Sequence, residues 1–391
     1  MKGRGAFSAA DLQLGGGRRF AKGRDFLVDI VRRPAPLEAT APLETSQAAT
    51  KGGRDLGLDF IKGVLILLVV FGHSIQWIVH AGTEDYWADG LFRAIYLFHM
   101  PAFIAVSGYL AASRIDAATS LRQFLFRRTL PLLLAMAVWA GVLAWPNLAR
   151  AYVGLETHVL SDVWRDFLGS FWFLWTVVVG SAGAFAATRF GAYERAALLL
   201  IAAALLLAPL PDFPRSVIRY TAAFYLIAFL AGRAGVTIRS IPPRIAVAAG
   251  AAAAVGWLFW RQDTYIYNNG FAYWRPGVAS QLALMLPVSV AATLAFLRAA
   301  VALHDRIAHS AAAWTMVSLG GMTLEIYLTQ TVAFRATSLL PEFAAGYLDA
   351  ATATAAIVAG TTALVALSRR LPGGGLLWGR LPALPFRARN D

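Results

Sequence analysis

Long apolar stretches, and not alternating polar and apolar positions, dominate the chain between residues 58 and 367. Ten of them approach the roughly 20 residues that a helix needs to cross a bilayer. They lie at 58–80, 92–113, 124–145, 171–188, 196–210, 216–233, 243–260, 278–297, 314–334 and 347–367. The pattern predicts an all-α polytopic membrane protein with ten transmembrane helices in residues 55–367. We expect a disordered basic cytoplasmic tail at 1–54 and a second basic tail at 368–391.

The composition agrees with a membrane protein and excludes several other classes. Hydrophobic residues make up 58% of the 391 positions and charged residues 15%, against about 25% charged in soluble chains. The absence of cysteine excludes a disulfide framework, a thiolate metal site and a cysteine nucleophile, and we predict no metal site. The net charge of +13 indicates membrane topology and no nucleic-acid partner, because the basic residues concentrate in the tails and on one set of connections.

The arginines predict the orientation. Alternate connections carry 11 arginines, and the tails carry 16 basic residues when Lys62 at the entrance of the first segment is counted, whereas the opposite side carries 8 with Arg93 included. Since basic residues favour the cytoplasmic side, both termini are predicted to be cytoplasmic. The long opposite connections at 145–170 and 261–280 are rich in aromatic residues, among them Tyr273 and Trp274. Such rings form either an interfacial belt or a stacking platform for a sugar.

Ionisable residues inside the first segment indicate a functional site, because such residues are costly in a membrane. Lys62 and His73 are eleven residues apart, so on a helix they share one face and are separated by about 16 Å. Gln76 lies one turn beyond His73 on that face. The alternatives are that Lys62 is an interfacial lysine whose ammonium reaches water and that His73 is a hydrogen-bonded histidine of the helix bundle.

The second and third segments add candidate groups. Pro101 removes a backbone donor and predicts a bend one turn earlier, with His99 beside the bend. Two membrane histidines on neighbouring helices favour a polar cavity over a lipid-facing wall. Three arginines lie at the start of the third segment: Arg122, Arg127 and Arg128. They form either a membrane anchor or an anion site for phosphates.

Later segments contribute aromatic rings and a carboxylate. Trp172 and Trp175 open the fourth segment, and Glu325 lies inside the ninth. A carboxylate at that depth needs a partner, for which we expect Arg335 or an arginine from another segment.

At these residues the chain resembles the membrane acyltransferase-3 family, most closely its fucose 4-O-acetylase-like sugar acetyltransferases. The resemblance extends over about residues 58–335; its matching stretches are Asp59–Gly63 through Gly72–Ser74, Phe98–Pro101 through Ser107–Tyr109, Trp172–Leu174 and Leu324–Leu328. The family's basic residue, ten intervening residues and histidine correspond to Lys62 and His73. The chain departs from the family in the spacing of its third-segment arginines and in having Gln330 where a histidine is common.

The resemblance implies transfer of an acyl group, usually acetyl, from cytoplasmic acyl-CoA to a hydroxyl of a cell-surface or lipid-linked carbohydrate. The acyl-CoA is a donor substrate, and no tightly bound cofactor is expected. His73 is the candidate general base, or is itself acylated and relays the group. His99 is the second candidate catalytic residue. The candidate phosphate ligands are Lys62, Arg127, Arg128 and Arg122, and the candidate substrate contacts are Tyr96, Ser107, Trp172, Trp175 and Glu325. The expected location is the inner membrane. A transporter or flippase for a glycolipid or polar solute is the alternative.

Overall fold

The computed structural model describes residues 55–81, 83, 85–154, 159–210, 213–260, 278–337 and 345–380. Within these ranges the regular structure is helical and contains no strand. The α-helices are α1 Leu56–Ser74, α2 Gly90–Tyr96, α3 His99–Ala111, α4 Leu121–Phe124, α5 Leu130–Tyr152, α6 Val159–Gly169, α7 Trp172–Ala187, α8 Glu194–Leu207, α9 Arg215–Arg233, α10 Pro243–Leu258, α11 Val278–Ile307, α12 Ala311–Gly320, α13 Thr323–Thr337 and α14 Tyr347–Ser368.

All ten predicted segments contain helix, which confirms the all-α class. Six helical stretches are long and apolar enough to cross a membrane: Leu56–Val79, Gly90–Ala111, Leu121–Arg150, Trp172–Leu207, Ala283–Ile307 and Tyr347–Ser368. The helices Pro243–Leu258 and Ala311–Gly320 are apolar but shorter. The chain is therefore a multi-pass membrane protein, while the count of ten spans and the orientation remain predictions.

Two predicted segments are interrupted helices. The second breaks at Leu97 and Phe98, between α2 and α3. Pro101 explains the break, since a proline at that position leaves the Leu97 carbonyl without its usual amide donor four residues later. The ninth segment, expected to be continuous over 314–334, is instead divided between α12 and α13 at Gly321 and Met322. Gly320 and Gly321 are adjacent there, and glycine is a poor helix former.

The connection at 145–170 differs most from expectation, because it contains the helix α6. Its apolar residues Val159, Val163 and Phe167 recur every four positions and mark one helical face. Val163 and Phe167 pack against the main hydrophobic core. On a neighbouring face, Asp162 and Asp166 are also four residues apart and both are buried. This helix thus carries carboxylates into the interior.

Helix α1 lies at the centre of the fold. The Asp55 carboxylate caps its first turn by accepting from the backbone N–H groups of Gly57 and Leu58 at 2.9 and 3.1 Å. Many of its apolar side chains are buried, and those of Ile61, Leu65 and Ile66 are fully buried. Close contact with α12 follows from two glycines. A Cβ on Gly63 would lie 1.9 Å from the Met316 carbonyl oxygen, and one on Gly320 would lie 1.8 Å from that of Asp59.

The segment after α14 packs against the helices. A short 3-10 helix at Gly374–Trp378 buries the Trp378 ring against Trp139, with ring centroids 5.5 Å apart. The Trp378 indole N–H donates to the Ser368 hydroxyl at 2.8 Å, and that of Trp139 donates to the Leu377 carbonyl at 2.8 Å. Residues 368–380, within the predicted second tail, therefore contact the helical body. The predicted tail at 1–54 and the candidate platform with Tyr273 and Trp274 lie outside the described residues.

Candidate active site

A cavity of about 810 Å³ lies at the C-terminal end of α1. Its walls come from α1 and the wide π-helical turn Ile75–Val79 that follows it, and from α2, α3, α6, α7 and α13. Four of the predicted site residues line it together: His73, Tyr96, His99 and Trp172. Gln76 also lines it, as its helical spacing from His73 predicts. Interrupted and widened helices surround the cavity, and such irregularities are frequent at functional sites.

The protonation of the His73 ring follows from its hydrogen bond. Its Nδ1 lies 2.9 Å from the Val69 carbonyl oxygen, which can only accept. Nδ1 therefore carries the proton, and in the neutral ring Nε2 carries the lone pair. The Gln330 side chain is within hydrogen-bonding reach of the same ring, and Phe334 packs beside it at 5.8 Å between centroids. Gln330, at the position where the family commonly has histidine, thus contacts the candidate base directly.

His99 has the same arrangement one helix away. Its Nδ1 lies 2.9 Å from the Ile95 carbonyl oxygen, so its Nε2 also has the lone pair. The Tyr96 ring contacts both histidines, with centroid distances of 4.5 Å to His99 and 6.4 Å to His73. His99 is only 1% exposed, whereas His73 is half-buried. His73 is therefore the more accessible of the two to a ligand.

The predicted phosphate ligands lie away from the cavity. Lys62 is near the opposite end of α1, about 16 Å from His73 by helical rise, and its Nζ pairs with the Asp59 carboxylate at 3.0 Å. Arg127 and Arg128 lie in the π-helical turn Leu125–Thr129, and Arg122 lies in α4 just before it. Arg122 and Arg127 are exposed and Arg128 is partly buried. Lys62 and the three arginines therefore do not line the histidine cavity.

Three other candidates do not line the cavity and have hydrogen-bond or ion-pair partners elsewhere. The Ser107 hydroxyl donates to the Phe103 carbonyl at 3.0 Å, and the Trp175 indole donates to that of Phe167 at 2.9 Å. Glu325 is buried and accepts from Arg380 at 2.9 Å. We expected Arg335 or an arginine from another segment as the partner of Glu325, and both alternatives were wrong, because Arg380 follows the last predicted segment. Helix α13 places Glu325 and Arg335 ten positions apart, about 15 Å along its axis, and Arg335 instead pairs with Asp166.

Polar groups that were not among the predicted site residues also line the cavity: Arg165, Asp166, Ser170, Tyr327 and Arg335. Asp166 accepts from the Arg335 guanidinium and from the Ser170 hydroxyl. The Tyr327 hydroxyl donates to the Ser170 carbonyl at 3.2 Å. The fourfold spacing of apolar residues and of aspartates in 159–167 was a signal that could have identified α6 and Asp166.

A second polar cluster joins three segments near this end of the bundle. The His80 Nε2 lies 2.9 Å from Asp89 Oδ2, and the Tyr347 hydroxyl donates to the same oxygen at 2.5 Å. Asp89 Oδ1 also caps α2 by accepting from the Phe92 N–H. Burial alone would raise the pKa of Asp89, but these hydrogen bonds outweigh it and hold the pKa below its ordinary 3.8. The cluster ties the start of α14 to the start of α2.

Fold and site together define a multi-pass membrane protein with two histidines on the wall of one cavity, each with Nδ1 at a backbone carbonyl, an arrangement suited to proton transfer. The chain belongs to the acyltransferase-3 family, since the family model described as an acyltransferase domain matches residues 55–369. It is therefore an acyltransferase.

Curated relatives extend this finding. Nodulation protein NolL of Sinorhizobium fredii (strain NBRC 101917 / NGR234) is 32% identical over 317 residues, covering 77% of this chain and 84% of the relative. Nodulation protein NolL of Mesorhizobium japonicum (strain LMG 29417 / CECT 9101 / MAFF 303099) is 31% identical over 327 residues, covering 80% and 84%. No solved structure matches the chain significantly.

Proposed function

We propose that the protein is an integral-membrane O-acetyltransferase that transfers acetyl from cytoplasmic acetyl-CoA to a carbohydrate hydroxyl. The observation that carries this proposal is the pair of histidines with fixed tautomers on one cavity wall, within a domain of the acyltransferase-3 family. A hydroxyl is a poor nucleophile until a base removes its proton during attack. A histidine whose Nδ1–H is already committed to a carbonyl presents Nε2 as that base.

His73 is the proposed base. Its Nε2 takes the proton of the acceptor hydroxyl as the oxygen attacks the thioester carbonyl. The C–S bond then breaks, the acetyl group forms an ester with the acceptor, and the thiolate of coenzyme A leaves with the proton from the imidazolium. His99 and Tyr96 are proposed to orient the acceptor or to stabilise the oxyanion. Trp172 offers a ring face to the sugar.

The donor is proposed to approach from the end of α1 that carries Lys62. Coenzyme A phosphates are anions, and they would pair with the Lys62 ammonium together with Arg122, Arg127 or Arg128. About 16 Å of helix between Lys62 and His73 suits a donor whose phosphates and thioester are far apart. Lys62 now pairs with Asp59 at 3.0 Å, so the bound phosphate would share or replace that partner.

The topology predicted from the charge pattern indicates from which side of the membrane each substrate would enter. Ten spans and two cytoplasmic termini put Lys62 on the cytoplasmic side and the histidine cavity toward the opposite side of the inner membrane. The donor and the acceptor would then enter from different faces of the bilayer.

Release of coenzyme A thiol from acetyl-CoA by the purified protein, in the presence of glycosides, tests the proposal. The chain contains no cysteine, so a thiol reagent reports coenzyme A without background from the enzyme. His73→Ala should lower the rate of transfer about 10²–10⁴-fold, the usual contribution of a general base. His309→Ala is the matched control, because His309 is exposed in the turn between α11 and α12. If a folded His73→Ala protein transfers acetyl at a rate within about threefold of the control, His73 is not the general base.

A further inference from the structure

Asp166, on the cavity wall, has one carboxylate oxygen whose hydrogen bonding is incomplete among the described residues. Its side chain lies on α6 and is only 2% exposed. Oδ1 accepts from the Ser170 hydroxyl at 3.1 Å and from the Arg335 guanidinium. Oδ2 is buried and has no hydrogen-bond partner among the described residues. An ionised carboxylate has about four acceptor sites, so half of this group is left unsatisfied.

A buried acceptor without a donor is rare in folded proteins, and leaving one unsatisfied is costly. The neighbouring carboxylate on the same helix shows the contrast. Asp162 uses both oxygens, accepting from Asn147 through Oδ2 and from Arg165 through Oδ1, each at 2.5 Å. Only Asp166 of this pair lines the cavity. A ligand in the cavity is therefore the group that can complete its hydrogen bonding.

The surroundings favour a neutral hydroxyl as the donor to Oδ2. Arg335 already balances the charge of Asp166, and a ligand cation would meet the repulsion of Arg165 and Arg335, which both line the cavity. Trp77, Trp87 and Trp172 line the same space and present apolar ring surface. A saccharide matches these surroundings, because it carries neutral hydroxyls that can donate to Oδ2 and apolar ring faces that can lie against the tryptophans.

Helix α13 relates Asp166 to the candidate base. Gln330 is within hydrogen-bonding reach of His73, and Arg335 holds Asp166. These two residues of α13 are five positions apart, which corresponds to about 7.5 Å along the helix axis. His73 and Asp166 line the same cavity, so a sugar bound there can place one hydroxyl at His73 and another at Asp166.

We propose that Asp166 is an acceptor-positioning residue whose Oδ2 accepts a hydrogen bond from a second hydroxyl of the sugar, one that is not acetylated. The inference rests on the proposed function, since it assumes a sugar acceptor at His73. Arg335 and Ser170 hold the carboxylate in place, and Asp166 thereby selects which hydroxyl reaches the base.

The first test needs no variant. Thiol release from acetyl-CoA is measured with a panel of methyl hexopyranosides and methyl 6-deoxyhexopyranosides, and then with monodeoxy derivatives of the best acceptor. Removing one hydroxyl other than the acetylated one should lower kcat/KM for the acceptor about 10- to 100-fold, as expected when a hydrogen bond to a charged group is lost. Equal kcat/KM for all such derivatives overturns the proposal.

Asp166→Asn then assigns that loss to the carboxylate, with Asp162→Asn as the matched control. Asp166→Asn should lower acceptor kcat/KM about 10- to 100-fold, and the discrimination against the sensitive deoxy acceptor should disappear. The KM for acetyl-CoA and thioester hydrolysis without acceptor should stay at the wild-type values. If the penalties of variant and deoxy sugar simply add, or Asp162→Asn behaves identically, Asp166 is only structural.

Two outcomes separate this inference from the proposed function. A wild-type protein that hydrolyses acetyl-CoA but gains no rate from any glycoside of the panel overturns the hydroxyl subsite and leaves the donor reaction standing. A wild-type protein that does not cleave acetyl-CoA under any of these conditions contradicts the proposed function itself.

Discussion

Alanine at Gly63 should disturb both the stability and the activity of the protein, because this glycine is where α1 touches α12. An added Cβ would lie 1.9 Å from the Met316 carbonyl oxygen, whereas real Cβ atoms essentially never come closer than 3.0 Å. The two helices must therefore separate locally by about 1 Å, since the obstacle is backbone and cannot rotate away. Such a separation also loosens the neighbouring close contact of Gly320 with the Asp59 carbonyl.

The expected loss of stability follows from two opposing effects. Overpacking a tight contact typically costs about 1–3 kcal/mol, while alanine favours a helix interior over glycine by about 1 kcal/mol. With backbone on the opposing side we expect the upper end of the first range and a net loss of about 2 kcal/mol. Because α1 also carries His73, a shift of about 1 Å should lower the transfer rate by up to about 10²-fold.

Gly141→Ala is the control for the intrinsic effect of alanine. Gly141 is an exposed residue of α5, and a Cβ there meets nothing within 4 Å. This variant should be unchanged or up to about 1 kcal/mol more stable, with wild-type activity. Thermal unfolding in detergent and thiol release from acetyl-CoA measure the two quantities. Equal stability and activity of Gly63→Ala and Gly141→Ala would refute the packing argument.

Three further predictions concern charged groups. Arg380→Ala should lower the thermal stability more than Glu325→Gln, because only the first leaves a buried carboxylate unpaired; the reverse order would contradict a buried ion pair. Tyr347→Phe should cost about 1 kcal/mol at neutral pH. Because the folded pKa of Asp89 is lowered, this difference should shrink as the pH falls below 3.8, and a difference independent of pH would argue against it. Lys62→Ala should raise the KM for acetyl-CoA about tenfold without changing acceptor KM, and an unchanged donor KM would return Lys62 to membrane anchoring.

Segment positions and the first-helix histidine followed from local pattern alone. A stretch of about 20 apolar residues is helical in lipid whatever surrounds it, because its backbone has no other source of hydrogen bonds. The break before α3 was equally local, since Pro101 lacks a backbone donor. His73 was identified because an ionisable side chain inside a membrane span is costly and usually has a function. Its spacing from Gln76 predicted a shared helix face, and both residues line one cavity.

Pairings between distant segments depended on the tertiary structure. Glu325 was expected to find an arginine, but local spacing could not indicate Arg380, which lies beyond the last helix and reaches back across the fold. Asp166 was overlooked because it lies in a connection between predicted spans, outside the hydrophobic pattern that drew attention to the other candidates. Its importance came from the Arg335 contact, which joins residues 169 positions apart.

The sequence by itself determined that the chain is an all-helical membrane protein and that His73 and His99 are its leading candidate groups. Those properties reside in runs of neighbouring residues, where hydrophobicity and helical periodicity act directly. Only the tertiary structure decided that Asp166 and Arg335 line the same cavity as the two histidines. That arrangement depends on how helices pack, and close packing at contacts such as Gly63 against Met316 is set by pairs of surfaces that no single segment encodes.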